Sequence, residues 1–389
     1  HGLSNWLVFG APYYLYAIIF ALFIAGRAWR TRFYTIPDQL EKAYGCAASI
    51  SGAFFIFVLA TPAPYVLMIG VLCRMLFSWP LWLGVTLGAL LSMIYAFRGG
   101  LAAIVRTEIL QFILMYAGFV IILIFAVRQF GGWEFLKSNL SPLHLTWHGG
   151  NSPQYILVWY FIAMSTLVDP NFYQRCYAAK SEAVARNGIL VSVLFWMLFD
   201  FMTTTTGLYA AAILPNLENP AESYPQLAVK LLPPLARGLF FLSLFATIMS
   251  TIDGYAFLSA ITLGKDLLWK IYGNGKEKLA TLFSRLGLIV TFIVAVGIAL
   301  WSQSIVDIWY RLGSLATPAL LVPLASSFSK RWKMSARSTL LSMFLSAALS
   351  ALWMLAGLNG EYWLGLQPIY PGLAASVLCF ILSRVKFFS

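Results

Sequence analysis

Ser243-Leu244-Phe245-Ala246-Thr247-Ile248-Met249-Ser250-Thr251-Ile252-Asp253-Gly254 places small hydroxyl residues and one acid inside a long apolar run. At helical spacing Thr247, Ser250 and Thr251 stand at i, i+3 and i+4 and share one face, with Ser243 a turn before them and Gly254 a turn after. A polar stripe in hydrocarbon needs a partner. Neutral oxygens suit a monovalent cation stripped of water, and they suit a neighbouring helix equally well.

Working outward, the same hydropathy recurs along the whole chain. Of 389 residues, 60% are hydrophobic and 10% charged, and the mean hydropathy is +0.80, which excludes a soluble domain. Runs able to cross a hydrocarbon core of about 30 Å predict eleven helices: Trp6 to Ala25, Gly45 to Met75, Trp79 to Phe97, Leu101 to Ala126, Tyr155 to Phe172, Gly188 to Leu214, Gly238 to Leu263, Leu286 to Trp301, Ile305 to Ser326, Ser338 to Leu355 and Ile369 to Leu382. The expectation is an all-α polytopic protein, one transmembrane domain over 1–389 in the lipid bilayer.

The formal charge of +12 does not point to nucleic acid, because 20 of the 26 basic residues fall on every second connection. Arg27, Arg30, Arg32 and Lys42 follow the first span; Lys265, Lys270, Lys276, Lys278 and Arg285 follow the seventh. This positive-inside pattern places the C-terminus in the cytoplasm of a cell membrane and the N-terminus outside. Cys46, Cys73, Cys176 and Cys379 show no metal or redox spacing, and His144 and His148 lack companion ligands for zinc. No nucleophile-base pair or phosphate loop is present, so an enzyme is not expected.

Spans one to four and six to nine run in opposite senses, as in an inverted repeat of five plus five that lacks one helix before Trp6. A chain opening on His1 agrees with that gap. The repeat divides the chain into 1–130, 154–328 and two extra helices over 335–389. Ala221 to Arg237 reads as a short amphipathic external helix, and Gly131 to Asn151 as an interfacial connection.

Acids inside spans cost about 2.5–3.5 kcal/mol each on insertion scales, so Glu108, Asp169, Asp200 and Asp253 should face protein or a watery cavity. Asp169-Pro170-Asn171 interrupts the fifth span. Proline removes a donor and disfavours helix before it, which frees carbonyls near Leu167 and Val168 unless the helix simply ends there. Gly99-Gly100 is expected to make a tight turn into Thr107, Glu108 and Gln111, a face that either meets a departing ion or pairs with a base. Gly84 and Gly88, and Thr203 to Thr206, read as packing and backbone-bonding features.

Taken together, Tyr34 to Gly45, the glycine-rich entry with Thr107-Glu108 and Gln111, Asp169-Pro170 with Gln174-Arg175 and Ala178-Ala179-Lys180, Ser250 to Asp253, and Gly313 to Pro318 resemble the sodium/solute symporter family. The resemblance implies a leucine-transporter-type inverted repeat whose first helix precedes this chain, and sodium-coupled import of a small polar organic solute by alternating access, with sodium the coupling ion and no other cofactor. It implies a sodium site on the Thr247 carbonyl and the Ser250 and Thr251 hydroxyls, completed by the absent helix. It further implies an ion-release or coupling role for Glu108 and Asp253; where the family commonly has Trp-Thr-Asp, this chain has Arg106-Thr107-Glu108. Substrate contacts fall on Ser165, Thr166, Asp169, Trp309 and Tyr310, the last two alternatively in an aromatic belt, and Asp169 would favour an amine. Two other readings remain: a proton-coupled transporter of the same fold, and the ligand-sensing membrane domain of a signalling protein.

Overall fold

The computed structural model describes residues 2–217, 219–273, 277–357 and 362–384, with the side chains of 95–103 and 277–278 outside that description. Gly99 and Gly100, and the basic residues Arg98, Lys276, Lys278 and Lys386, lie outside the described side chains. Every regular element among the described residues is helical. In order these are α1 (Asn5–Thr31), α2 (Ile36–Tyr44), α3 (Cys46–Leu59), α4 (Ala63–Phe77), α5 (Leu81–Phe130), α6 (Pro153–Ile162), α7 (Pro170–Ala178), α8 (Glu182–Ile213), α9 (Ser223–Leu231), α10 (Pro234–Ile261), α11 (Glu277–Ser302), α12 (Ile305–Ser327), α13 (Ala336–Ala356) and α14 (Ile369–Leu382). Eight continuous stretches are long and apolar enough to cross a membrane, with Leu81–Ile94 and Ile369–Leu382 as shorter apolar helices. With the interrupted fifth span, all eleven predicted helices have a counterpart in a multi-pass membrane protein.

The helical assignment over α5 cannot be one straight rod. Ser92 donates to the Met249 sulfur at 3.3 Å, and Gly118 lies so close to α10 that a Cβ on it would meet Ser243 Cβ at 2.3 Å. Met249 and Ser243 are about 9 Å apart along α10, whereas a straight helix would separate Ser92 from Gly118 by about 39 Å. The chain therefore doubles back between them, giving the two passes that hydropathy predicts.

Two spans depart from regular helix for reasons visible in their prolines. The second is interrupted at Ala60-Thr61-Pro62 and resumes as α4, since Pro62 and Pro64 cannot donate to the preceding turn. The fifth runs from α6 into a 3-10 segment, Ala163–Val168, stops at extended Asp169 and restarts at Pro170 as α7. Gly84 fits against Gly70 and Cys73 of α4, where a Cβ would come within 3.1 Å and 2.9 Å of them, so the glycine pair serves close packing. Thr203, Thr205 and Thr206 hydrogen-bond carbonyls one turn earlier in α8, as expected of hydroxyls in hydrocarbon.

α2 carries both halves of a capping box, Thr35 with Asp38. It lies against the inner end of α10, which continues beyond Ile261 as a π-helix over Thr262–Trp269. The predicted external amphipathic helix is α9, with Leu227, Ala228 and Leu231 buried.

Candidate functional site

α10 brings the stripe to a seam between α5, α7 and the second span. Along it the hydroxyls bond their own helix: Ser243 Oγ donates to the Phe240 carbonyl at 2.7 Å, Thr247 Oγ1 to Ser243 at 2.8 Å, and Thr251 Oγ1 to the Thr247 carbonyl at 3.2 Å. Such back-bonding satisfies the donors and leaves the hydroxyl lone pairs free to accept, while the Thr247 carbonyl takes the Thr251 hydroxyl beside its helical N–H. Ser243, pressed against Gly118, is a packing residue. Ser250 is half-buried beside Thr251.

One turn beyond Thr251 the same face presents Tyr255, which donates to Asp169 Oδ2 at 2.9 Å. Asp169 Oδ1 accepts from the Asn171 amide at 2.8 Å and so caps α7. The interruption at Asp169 therefore faces the hydroxyl stripe. Tyr173 closes the inner side of the break by donating to the Leu167 carbonyl at 3.1 Å, one of those expected to be freed. Tyr65 of α4 stacks on Tyr255 with centroids 5.4 Å apart, and Trp309 of α12 meets Tyr65 edge-on at 5.7 Å. Of the remaining residues named for substrate contact, Thr166 is buried and Ser165 half-buried on the 3-10 segment. Tyr310 turns away, donating to Gln367 and packing with Val158, Ile162 and Ile369.

At Gly254, one turn further along the stripe, α10 meets a second set of acids. Glu108 pairs with Arg175 of α7 at 2.8 Å, and Arg175 also donates to Asn171 at 3.1 Å. Gly254 allows this junction to approach: a Cβ there would stand 3.4 Å from Asn171 Oδ1 and 3.8 Å from Glu108 Oε1. Asp253 is 1% exposed; the Gln111 side chain approaches its carboxylate, with no hydrogen bond of regular geometry to either oxygen among the described residues. A buried bare carboxylate is expensive and calls for a proton, a cation or water.

Tyr255 and Tyr65 are neighbours of the seam that sequence reasoning did not name, and Arg175 was named for the resemblance without its partner. Tyr255 was within reach, because it continues the stripe by four residues. Tyr65 was not, since nothing local distinguishes it from other aromatics of the second span. Beneath the seam a small cavity is lined by Tyr34, Pro37, Tyr173, Tyr177, Leu258 and Thr262, between α2 and the inner halves of α7 and α10.

An apolar helical bundle with one span broken at an acid and a hydroxyl-lined helix opposite it is the arrangement of the leucine-transporter-type fold, which solved structures bear out. A Na+-coupled sialic acid symporter superposes with a TM-score of 0.74 at 16% identity, covering 98% of this chain and 83% of its own. Mhp1, a nucleobase-cation-symport-1 family transporter, superposes with a TM-score of 0.57 at 13% identity, over 98% of this chain and 85% of its own. The chain belongs to the sodium:solute symporter family, which it matches over residues 2–346. Among curated relatives it is 28% identical over 303 residues to the sodium/pantothenate symporter of Escherichia coli (strain K12), a match covering 75% of this chain. It is 26% identical over 373 residues to the sodium/proline symporter of Staphylococcus aureus, covering 88% of this chain and 71% of that protein. The chain spans 62% of the length of the Escherichia coli relative and 37% of that of the Haemophilus influenzae sodium/pantothenate symporter.

Proposed function

We propose that this chain forms most of a sodium-coupled importer of a small polar organic solute, working by alternating access in the cytoplasmic membrane with its C-terminus inside. The observation that carries the reading is the continuity of one α10 face: Thr247, Ser250 and Thr251, then Tyr255 hydrogen-bonded to Asp169 at the helix break. Ion and solute sites on one face give direct coupling, because occupancy of either restrains the same helix. In this reading the Thr247 carbonyl and the Ser250 and Thr251 hydroxyls hold sodium, and Glu108 and Asp253 lie on its inward route. Ser165, Thr166, Asp169 and Trp309 belong to the solute site, and Tyr310, bonded to Gln367, lies outside it. Residues 1–130 and 154–328 are the two inverted repeats, and 335–389 the added helices.

Uptake by the full-length protein in proteoliposomes tests this. Replacing Ser250 and Thr251 together by alanine is expected to raise the sodium concentration for half-maximal uptake at least about tenfold, since two neutral oxygen ligands are lost and about 1.4 kcal/mol corresponds to a decade. Unchanged sodium dependence overturns the assignment. Uptake that persists without sodium and follows pH replaces sodium by protons as the coupling ion.

A further inference from the structure

Asp169 carries an inference about the solute, which rests on the transport reading above. Its carboxylate stands at a helix break inside the bundle and has two hydrogen-bond partners, the Asn171 amide and the Tyr255 hydroxyl, both neutral. The ion pairs among the described residues are Arg30–Glu182, Arg175–Glu108, and Lys265 and Lys270 with Asp38 and Glu41; Asp169 is in none of them. Arg175, on the helix that Asp169 caps, is committed to Glu108 and Asn171. The N-terminus of α7 offsets at most about half a unit charge. A carboxylate accepts about four hydrogen bonds, so both charge and acceptor capacity are left over.

The surroundings select the kind of cation that balances it. A bare alkali ion needs a shell of oxygens to replace its water, and here the Leu167 carbonyl already accepts one hydrogen bond, from Tyr173. What the site adds to the carboxylate is aromatic: half-buried Tyr255 and Tyr65 stacked on one another, and Trp309 at the edge of Tyr65. Rings attract an ammonium and accommodate the hydrocarbon it is attached to. We propose that Asp169 is the counter-ion for a protonated amine on the transported solute, with Oδ2 and the Tyr255 hydroxyl meeting its N–H groups and the Tyr65 and Trp309 rings its carbon skeleton.

The test is thermal stabilisation of the purified full-length protein, with and without sodium, by matched probes: L-alanine, L-proline, putrescine and choline against L-lactate, pantothenate, glucose and glycerol. At least one amine-bearing probe is expected to stabilise the protein in a sodium-dependent way. Asp169→Asn should weaken that binding at least about tenfold and leave stabilisation by sodium alone in place. Asparagine caps a helix as well as aspartate does, so the loss reports the charge; Tyr255→Phe, which keeps the ring, should weaken binding a few-fold. Sodium-dependent stabilisation by amine-free probes only, stabilisation by no probe, or amine binding that survives Asp169→Asn overturns the inference. If sodium affects neither the protein nor any probe, the transport reading itself fails.

Discussion

Two polar regions of this molecule use their acids in opposite ways. At the inner junction, Asp38 and Glu41 of α2 are met by two lysines from the end of the seventh span: Lys265 at 3.4 Å from Asp38, and Lys270 at 3.6 Å from Asp38, on Glu41, and 2.8 Å from the Ser49 hydroxyl. Asp38 and Glu41 are thus paired within the chain, while Asp266, buried beside them, accepts from the Thr35 hydroxyl on Oδ1 and leaves Oδ2 without a partner among the described residues. At the seam around α10, Asp169 has only neutral partners and Asp253 has no hydrogen bond of regular geometry among the described residues. Paired acids tie α2 to α10 as a fixed joint, whereas acids left short of positive charge reserve their interaction energy for something that arrives and leaves. The cavity lined by Tyr173, Tyr177 and Thr262 lies between the two regions.

That contrast can be broken in several ways. The largest effect is expected from Lys270→Met, because Lys270 is only 10% exposed and its loss leaves Glu41 without its cation and Asp38 with Lys265 alone. Breaking such a pair costs about 3 kcal/mol, read as a lowered unfolding temperature in detergent, while the sodium concentration for half-maximal uptake stays put. A shift in sodium affinity of the size expected for Ser250 and Thr251 would erase the distinction between joint and site. Next, Gly118→Val should cost about 2 kcal/mol, the scale of overpacking, because its Cβ would fall on Ser243; unchanged stability would mean that α5 and α10 separate freely.

A smaller effect is expected from acid. Burial pushes the Asp38 carboxyl up, but Lys265 and Lys270, with the Tyr34 amide and the Thr35 side chain, outweigh it and hold the group below the usual carboxylate range. A depressed carboxyl contributes stability that is complete above its unfolded value, about 3.9, and is lost as pH falls through the folded value. The stability gap between the wild type and Asp38→Asn should therefore be level from pH 7 to about 5 and narrow below about pH 4. The smallest effect belongs to Arg30→Ala: the Arg30–Glu182 pair at 2.5 Å is on the open surface, and its loss should leave the unfolding temperature within error.

Much of the site was legible in the sequence because its signals are local. The Thr247–Thr251 stripe follows from helical spacing, and the break at Asp169 from the proline after it, since the missing donor and the restricted preceding residue act within one turn. Tyr255 continues the stripe but carries an aromatic ring, which spacing alone does not separate from a packing residue. Arg175 stands in the sequence as part of the passage after Asp169-Pro170, and only the approach of α7 to α5 makes it the partner of Glu108. Neither did hydropathy show the interruption at Ala60-Thr61-Pro62, because the residues around it are as apolar as those of an unbroken span.

By itself the sequence determined the class of molecule: eleven apolar segments and charges on alternate connections. Transfer free energy and backbone hydrogen bonding allow such a chain only a helical membrane bundle. It also marked where one span breaks and which face of another is polar, both consequences of backbone chemistry over a few residues. Only the tertiary structure decided the partners. Tyr255 meets Asp169, Arg175 meets Glu108 and Lys270 meets Asp38 across tens to hundreds of residues of chain. Which acids are neutralised and which are left bare depends on how whole helices dock, a property of the summed packing of many side chains that no short stretch encodes.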